Sequence, residues 1–253
     1  MRTVPKTLLG LALFSTAMGY LESAVVIYLR QLYYPSGFSF PLTPIPPHVA
    51  VVEFFREIAT LIMLAGIGWF AGKNRPQRFA YFLFCFGIWD ISYYVFLKLL
   101  LGWPASVFTW DILFLVPLPW VGPVLAPCIV SLTMILYTLA LSWLHHHEPG
   151  IGLWRKERIA VWIGSLILII SFLWDYLRYL VNHWSAGIVW RPGSDQALFR
   201  GLGSFKPDWF NWGIFWIGEL LLAWVIIRLL TRIYRIRRIQ GPENPGKSDG
   251  SGR

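Results

Sequence analysis

The stretch VVEFFREIATLIMLAGIGWFAG, residues 51–72, has the length and apolar composition of a membrane-spanning helix, yet three charged residues lie near its start. They are Glu53, Arg56 and Glu57, at the i, i+3 and i+4 spacing that places side chains on one helix face. A charge at the centre of a spanning helix costs about 2.5–3.5 kcal/mol. The stretch therefore predicts a membrane helix whose polar face is turned toward other protein rather than toward lipid.

The composition places the whole chain in a membrane. It has 253 residues, of which 56% are hydrophobic and 14% charged, whereas soluble domains carry about 25% charged residues. Although the net charge is +9, the basic residues lie in short loops and near the C-terminus, which disfavours nucleic acid as a partner. We expect an integral membrane protein, in the cytoplasmic membrane if the chain is bacterial, with the lipid bilayer as its first partner.

Six segments are long enough to span a membrane, because a spanning helix needs about 20 apolar residues. Polar or proline-rich breakers separate them. The sequence thus predicts an all-α fold, a polytopic six-helix transmembrane bundle that forms a single domain over residues 1–238, with a disordered cytoplasmic tail over 239–253. The predicted spans are 7–30, 49–72, 79–101, 120–144, 159–182 and 209–234.

The distribution of lysine and arginine predicts the orientation of these spans. Basic residues precede the first span, fill the loops between spans two and three and between four and five, and follow the sixth. Loops on the other side contain few. Since cytoplasmic loops carry the excess of lysine and arginine, we expect both termini to be cytoplasmic. The longer loops, rich in proline and aromatic residues, then face the exoplasmic side, where function tends to reside.

Prolines interrupt the region before the fourth span. Each proline removes a backbone donor and clashes with the preceding turn, so a regular helix cannot continue through them. Residues 105–116 are therefore predicted to form an interfacial or re-entrant segment that covers the outer end of the bundle. The prolines are at positions 104, 117, 119, 123 and 127.

Acidic residues inside the predicted spans are the strongest functional signal. In the predicted orientation they lie in the outer half of the bundle or near its middle, and carboxylates are too short to reach water from that depth. They must be paired, protonated or turned toward a polar interior. We therefore predict a polar chamber open to the exterior, with five candidate catalytic acids: Glu22, Glu53, Glu57, Asp90 and Asp175. A sixth acid, Glu219, lies near the middle of the last span.

Bases and tyrosines follow some of these acids at helical spacing. The dipeptide Trp-Asp occurs at 89–90, 110–111 and 174–175, and two of the three precede a tyrosine by four residues. This spacing predicts a carboxylate that accepts a hydrogen bond from a tyrosine hydroxyl; helix-joining pairs without a catalytic role are the alternative. For Arg30 and Lys98, snorkelling toward the membrane surface from a helix end explains the base as well as a functional role does. The candidate substrate-binding residues are Arg56, Arg178, Tyr94, Tyr179 and Lys98.

No cofactor can be assigned from the sequence. The five histidines lie near span edges, which disfavours haem, and no Walker A or dinucleotide fingerprint favours a nucleotide or flavin. His48 and His183 are the candidate metal ligands, since with the outer acids they would form a carboxylate-rich site, but no H-E-x-x-H motif supports them.

Three functions fit this pattern. The first is a membrane-embedded enzyme that uses acid–base or metal-assisted chemistry on a lipid-like or small substrate. The second is a non-catalytic subunit or assembly factor that contacts other membrane subunits, with a purely structural polar cluster. The third is a proton- or ion-coupled transporter, for which buried acids and a broken helix are equally suited.

Overall fold

The computed structural model of the chain describes residues 4–43, 45–116, 118–147, 152–183 and 203–240. These residues form six long helices and one two-stranded hairpin. In chain order the elements are α1 (Val4–Tyr33), α2 (Pro47–Ala71), α3 (Arg75–Leu101), β1 (Trp110–Phe114), β2 (Trp120–Pro123), α4 (Leu125–His147), α5 (Arg155–His183) and α6 (Trp212–Gln240).

The helical architecture is confirmed. Five of the six described helices are long and apolar enough to cross a membrane; α2, which carries the three charges of the opening stretch, is not one of the five. Helix α6 continues to Gln240, past the predicted start of the tail, and residues 241–253 lie outside the described part of the chain.

Local sequence signals set several helix boundaries. The Asn74 side chain accepts a hydrogen bond of 3.0 Å from the backbone N–H of Gln77 and so caps the start of α3. At the other end, Gly102 adopts φ +68°, a left-handed conformation that glycine tolerates. Helix α2 begins at a proline, where a missing N–H costs nothing.

The region before α4 is a β-hairpin, where the sequence predicts an interfacial or re-entrant segment. Strands β1 and β2 are antiparallel, with Asp111 opposite Gly122 and Ile112 opposite Val121. The prolines prevent a helix here, but paired strands also satisfy the backbone groups of the segment. Because the prolines prevent a helix in this segment, α4 begins at Leu125, five residues after the predicted start of the fourth span at 120.

Helix α3 is the central element. It packs against α1, α2 and α4, while α5 pairs with α6 and also contacts β2. We call the end of the bundle that contains β1 and β2 the hairpin end. The opposite end, with the α2–α3 turn at 72–74 and the first turn of α5, carries basic residues and is called the basic end.

Close packing of α2 on α3 depends on Gly68, whose position leaves no room for a side chain. A Cβ atom there would lie 2.6 Å from the backbone nitrogen of Phe82 and 3.0 Å from the carbonyl oxygen of Arg78. Gly66, on the same helix, has open space at the corresponding position.

We expect Gly68→Ala to destabilise the protein by roughly 1–3 kcal/mol, because backbone atoms of α3 must move to admit the methyl group. Gly66→Ala is the matched control and should be neutral or slightly stabilising. Thermal unfolding in detergent measures both. Equal melting temperatures for the two variants would contradict the close helix approach.

Candidate functional site

A cavity of about 600 Å³ opens at the hairpin end between α1, α2 and β1. Its volume is in the range of pockets that hold one small organic molecule. Most of its wall is apolar or aromatic, and five charged side chains also line it: Arg30, Glu53, Arg56, Glu57 and Asp111. The apolar wall includes Val26, Leu29, Tyr33, Phe38, Leu42 and Ile112. We call this space the large cavity.

A second cavity, of about 60 Å³, adjoins the large one and has room for a few water-sized molecules. The two cavities share five lining residues, so the smaller one continues the larger toward α3. We call it the inner cavity. Its polar lining includes Glu22, Asp90 and Tyr94. The shared residues are Val26, Arg56, Glu57, Tyr93 and Ile112.

Arg56 joins two of the predicted acids. Its Nε donates to a carboxylate oxygen of Glu53 at 2.8 Å, and its guanidinium also bonds the carboxylate of Glu22 on α1. The Thr60 hydroxyl donates to the other oxygen of Glu22 at 3.4 Å. The i, i+3 spacing within α2 explains the first pair; the second is an interhelical contact. One positive charge is thus shared by two carboxylates.

Arg30 and Asp111 form a second charged group beside the large cavity. A guanidinium nitrogen of Arg30 lies 3.6 Å from an oxygen of Asp111, and the Tyr94 hydroxyl donates to the other Asp111 oxygen at 3.1 Å. The Arg30 guanidinium lies 3.7 Å from the ring centroid of Trp103 and 4.5 Å from that of Phe38. These contacts tie α1 and α3 to the hairpin.

Glu57 lies at the junction of the two cavities. Its side chain is buried, and one carboxylate oxygen accepts a hydrogen bond of 2.8 Å from the backbone N–H of Leu115, just after β1. Within the described ranges it forms no ion pair, because the neighbouring Arg56 is directed to Glu22 and Glu53. Glu57 is therefore a buried carboxyl group that faces both cavities without a bound cation.

Asp90 faces the inner cavity and joins α3 to α4. Its carboxylate accepts a hydrogen bond of 2.8 Å from the Ser131 hydroxyl. The sequence predicts Tyr94 as the donor, but Tyr94 donates to Asp111 instead. The two side chains do lie on one helix face, yet the longer tyrosine extends beyond Asp90 to the hairpin.

The α5 candidates lie outside the two cavities. The Arg178 guanidinium is 3.2 Å from Asp175 and 3.1 Å from Asp208, and the Tyr179 ring stacks on His183 with centroids 4.3 Å apart. The hairpin explains this separation, because β1 lines the large cavity while β2 packs on α5. The predicted chamber shared by α2 and α5 acids is thus not formed around these two cavities.

Lys98 and His48 also lie outside the two cavities. The ammonium of Lys98 donates to the carbonyl oxygens of Gly102 and Pro104, at 3.1 and 2.8 Å, at the end of α3. His48 is exposed in the first turn of α2. Across the described ranges, no three His, Cys, Asp or Glu side chains are grouped as metal ligands would be, so His48 and His183 do not form such a group with the acids.

Three partners of the site are not among the candidates that sequence reasoning selected. The sequence explains Arg30 equally well as a snorkelling side chain. Asp111 is noted there only as part of a Trp-Asp dipeptide, and nothing in the sequence marks Ser131. Each acts across elements far apart in the sequence, so helical spacing could not identify them. The repeated Trp-Asp dipeptide was the one usable sign for Asp111.

A further acid is paired at the basic end. Glu157 is buried at the start of α5, where it bonds the Arg232 guanidinium and lies 3.8 Å from Arg228. Both arginines lie over the ring of Trp154, 5.0 and 4.9 Å from its centroid. This group holds α5 to α6, and none of its residues lines either cavity.

No family model, curated protein or solved structure matches this chain.

Asp111 gives the site a dependence on pH. Burial raises the pKa of its carboxyl from 3.8 to about 6, against the opposing effects of Arg30 and the Tyr94 hydroxyl. The pKa of Asp111 is therefore higher in the folded protein than in the unfolded one, so folding favours the protonated carboxyl. The stabilisation that this carboxyl gives is complete below the unfolded pKa and is lost as pH rises through about 6. This difference in pKa corresponds to roughly 3 kcal/mol in the free energy of unfolding.

We expect Asp111→Asn to remove this dependence of the free energy of unfolding on pH. The variant should also be less stable at every pH, because Arg30 is left without its carboxylate. Thermal unfolding of both proteins from pH 4.5 to 7.5, a window of roughly one to two units on either side of the pKa of Asp111, measures the effect. The melting temperature of the wild type, minus that of the variant, should fall as pH rises. A difference that stays constant or grows would contradict a raised pKa for Asp111.

Proposed function

We propose that the chain is a six-span integral membrane protein, with α2 as the sixth span, the basic end in the cytoplasm and the hairpin end on the exoplasmic side. The support is the concentration of lysine and arginine at the basic end. The polar face of α2 supports the same view, since its acids are neutralised or hydrogen-bonded within the bundle and need not meet lipid.

Cysteine accessibility tests this orientation. Ser36→Cys, in the exposed loop between α1 and α2, should react with a membrane-impermeant maleimide on intact cells. Lys73→Cys, exposed in the α2–α3 turn, should react only after the membrane is permeabilised. The reverse pattern would contradict the orientation, and labelling of both from one side would contradict α2 as a span.

For the activity, we propose a membrane-embedded enzyme that binds a lipid-like substrate in the large cavity and transfers protons through Glu57 and Asp90. The main observation that supports this activity is the position of Glu57. It is a buried carboxyl, without an ion pair to any described residue, at the junction of an apolar cavity and a small polar one. Such a group can accept and return a proton at a substrate atom.

The surrounding residues have separate roles in this proposal. The apolar wall of the large cavity would hold the hydrocarbon part of the substrate. The inner cavity would hold water or the reacting group next to Asp90. Arg56 and Arg30 keep Glu22, Glu53 and Asp111 in place and are positioning residues.

A structural subunit or assembly factor is the second candidate, and one observation favours it. The Glu57 carboxylate accepts the Leu115 N–H, so it also fixes the hairpin to α2. A transporter would use the same acids but needs a path to the basic end, and the lining of the two cavities contains no residue of that end.

Two substitutions separate the enzyme from the structural role. Glu57→Gln keeps a side-chain oxygen for the Leu115 N–H but loses the proton-transferring group, whereas Glu57→Leu loses both. We expect Glu57→Gln to melt near the wild-type temperature and to lose roughly 10²–10⁴-fold in turnover. Glu57→Leu should lower the free energy of unfolding by roughly 1–3 kcal/mol as well. Glu219→Gln, a buried acid outside both cavities that bonds Thr133, is the control.

Turnover is measured by incubating the purified protein in nanodiscs with a lipid extract of its host and following mass changes of the lipids. The wild type and Glu219→Gln should convert the same lipid at similar rates, and Glu57→Gln should convert it at least about a hundredfold more slowly. Conversion by Glu57→Gln at the wild-type rate, or no conversion by the wild type, would contradict the enzyme proposal.

A further inference from the structure

We infer that the molecule held in the large cavity carries a cationic head, a protonated amine or quaternary ammonium, joined to an apolar chain. This inference rests on the proposed function, since it names the class of substrate for the same cavity. Arg56, a candidate substrate-binding residue from the sequence, would then hold the neighbouring acids in place rather than contact the head.

Charge balance around the two cavities is the first argument. Counted over the described residues, acids outnumber bases, and no other described lysine, arginine or histidine lines either cavity. A cationic ligand would reduce this imbalance, whereas an anionic one would increase it. The acids are Glu22, Glu53, Glu57, Asp90 and Asp111, and the bases are Arg30 and Arg56.

The second argument is that both arginines are already engaged. Arg56 bonds Glu22 and Glu53 at once. Arg30 pairs with Asp111 and lies against the rings of Trp103 and Phe38. An anionic head would have to displace a carboxylate from one of them, so its gain would be offset by a buried carboxylate left without its partner.

Glu57 is the acid that remains for the ligand. It faces the large cavity and has no ion pair with any described residue. A protonated amine beside it would donate a charge-assisted hydrogen bond, and a quaternary ammonium would form an ion pair with it. Aromatic rings of Tyr33, Tyr34, Phe38 and Tyr93 also line the cavity. Ring faces attract ammonium groups, which is how proteins recognise choline-like and methylated amines.

The size and lining of the cavity fit the rest of such a molecule. A volume of about 600 Å³ accommodates one drug-sized ligand. Val26, Leu29, Leu42 and Ile112 provide an apolar wall for a hydrocarbon chain. Glu57 lies where the large cavity meets the inner cavity, so the head has a place beside it while the chain lies against the apolar wall.

Probes with the same chain and different heads test the inference. Radiolabelled dodecylammonium, which carries three N–H donors, is bound to immobilised full-length protein in maltoside detergent, and dodecyl phosphate and dodecanol compete with it. We expect saturable binding of the ammonium, with both competitors at least about tenfold weaker, because a charge-assisted hydrogen bond is worth about a factor of ten or more.

Variants locate the binding. Glu57→Gln should weaken ammonium binding about tenfold, and Glu219→Gln should not change it. Leu29→Trp places a larger side chain in the wall of the large cavity and should weaken binding, whereas Leu32→Trp, at a residue of the same helix that is 72% exposed, should not. The head-group comparison uses the wild type alone, so the inference stays falsifiable if a variant does not fold.

The outcomes separate the inference from the proposed function. Stronger or equal competition by the phosphate or the alcohol would overturn the cationic head and leave the cavity as a binding site. Unchanged ammonium binding in Glu57→Gln would overturn the assignment to Glu57. Equal binding by the wild type and Leu29→Trp, or no saturable binding of any probe, would overturn the proposed function itself.

Discussion

The interhelical contact of Arg56 with Glu22 and Glu53 is the interaction on which the site depends. Helices α1 and α2 both pack against α3, and this contact joins them to each other. Buried carboxylates in an apolar bundle require partners, and one arginine serves two of them. Because the contact lies near the middle of α1, the helices can separate toward the hairpin end, where the large cavity opens.

The hairpin completes the site because it takes part in the pairing of two further buried carboxylates. Glu57 accepts the Leu115 N–H, and Asp111 accepts from Tyr94 beside Arg30. Strand β1 thus becomes a wall of the cavity, fixed to α1, α2 and α3 by polar contacts. Strand β2 packs on α5 through Val121 and Tyr176. The hairpin therefore both closes the cavity and separates it from the acids of α5.

Helical spacing predicted what lies within single elements. Glu53 and Arg56 are paired as their i, i+3 spacing indicates, and the apolar segments are helices with boundaries near the expected ones. Contacts between elements could not be obtained in this way. The pairing of β1 with β2, and of Asp111 with Tyr94 and Arg30, could not be predicted, because strand pairing and register depend on contacts that a single sequence does not show.

The account as a whole rests on the large cavity being a binding site for a molecule with an apolar chain. A cryo-electron microscopy map of the protein purified with its native lipids tests this most directly. The account predicts elongated density along Leu29 and Leu42 that ends within hydrogen-bonding distance of the Glu57 carboxyl. A well-resolved map in which this space is closed by side chains, or holds only separate waters, would contradict it.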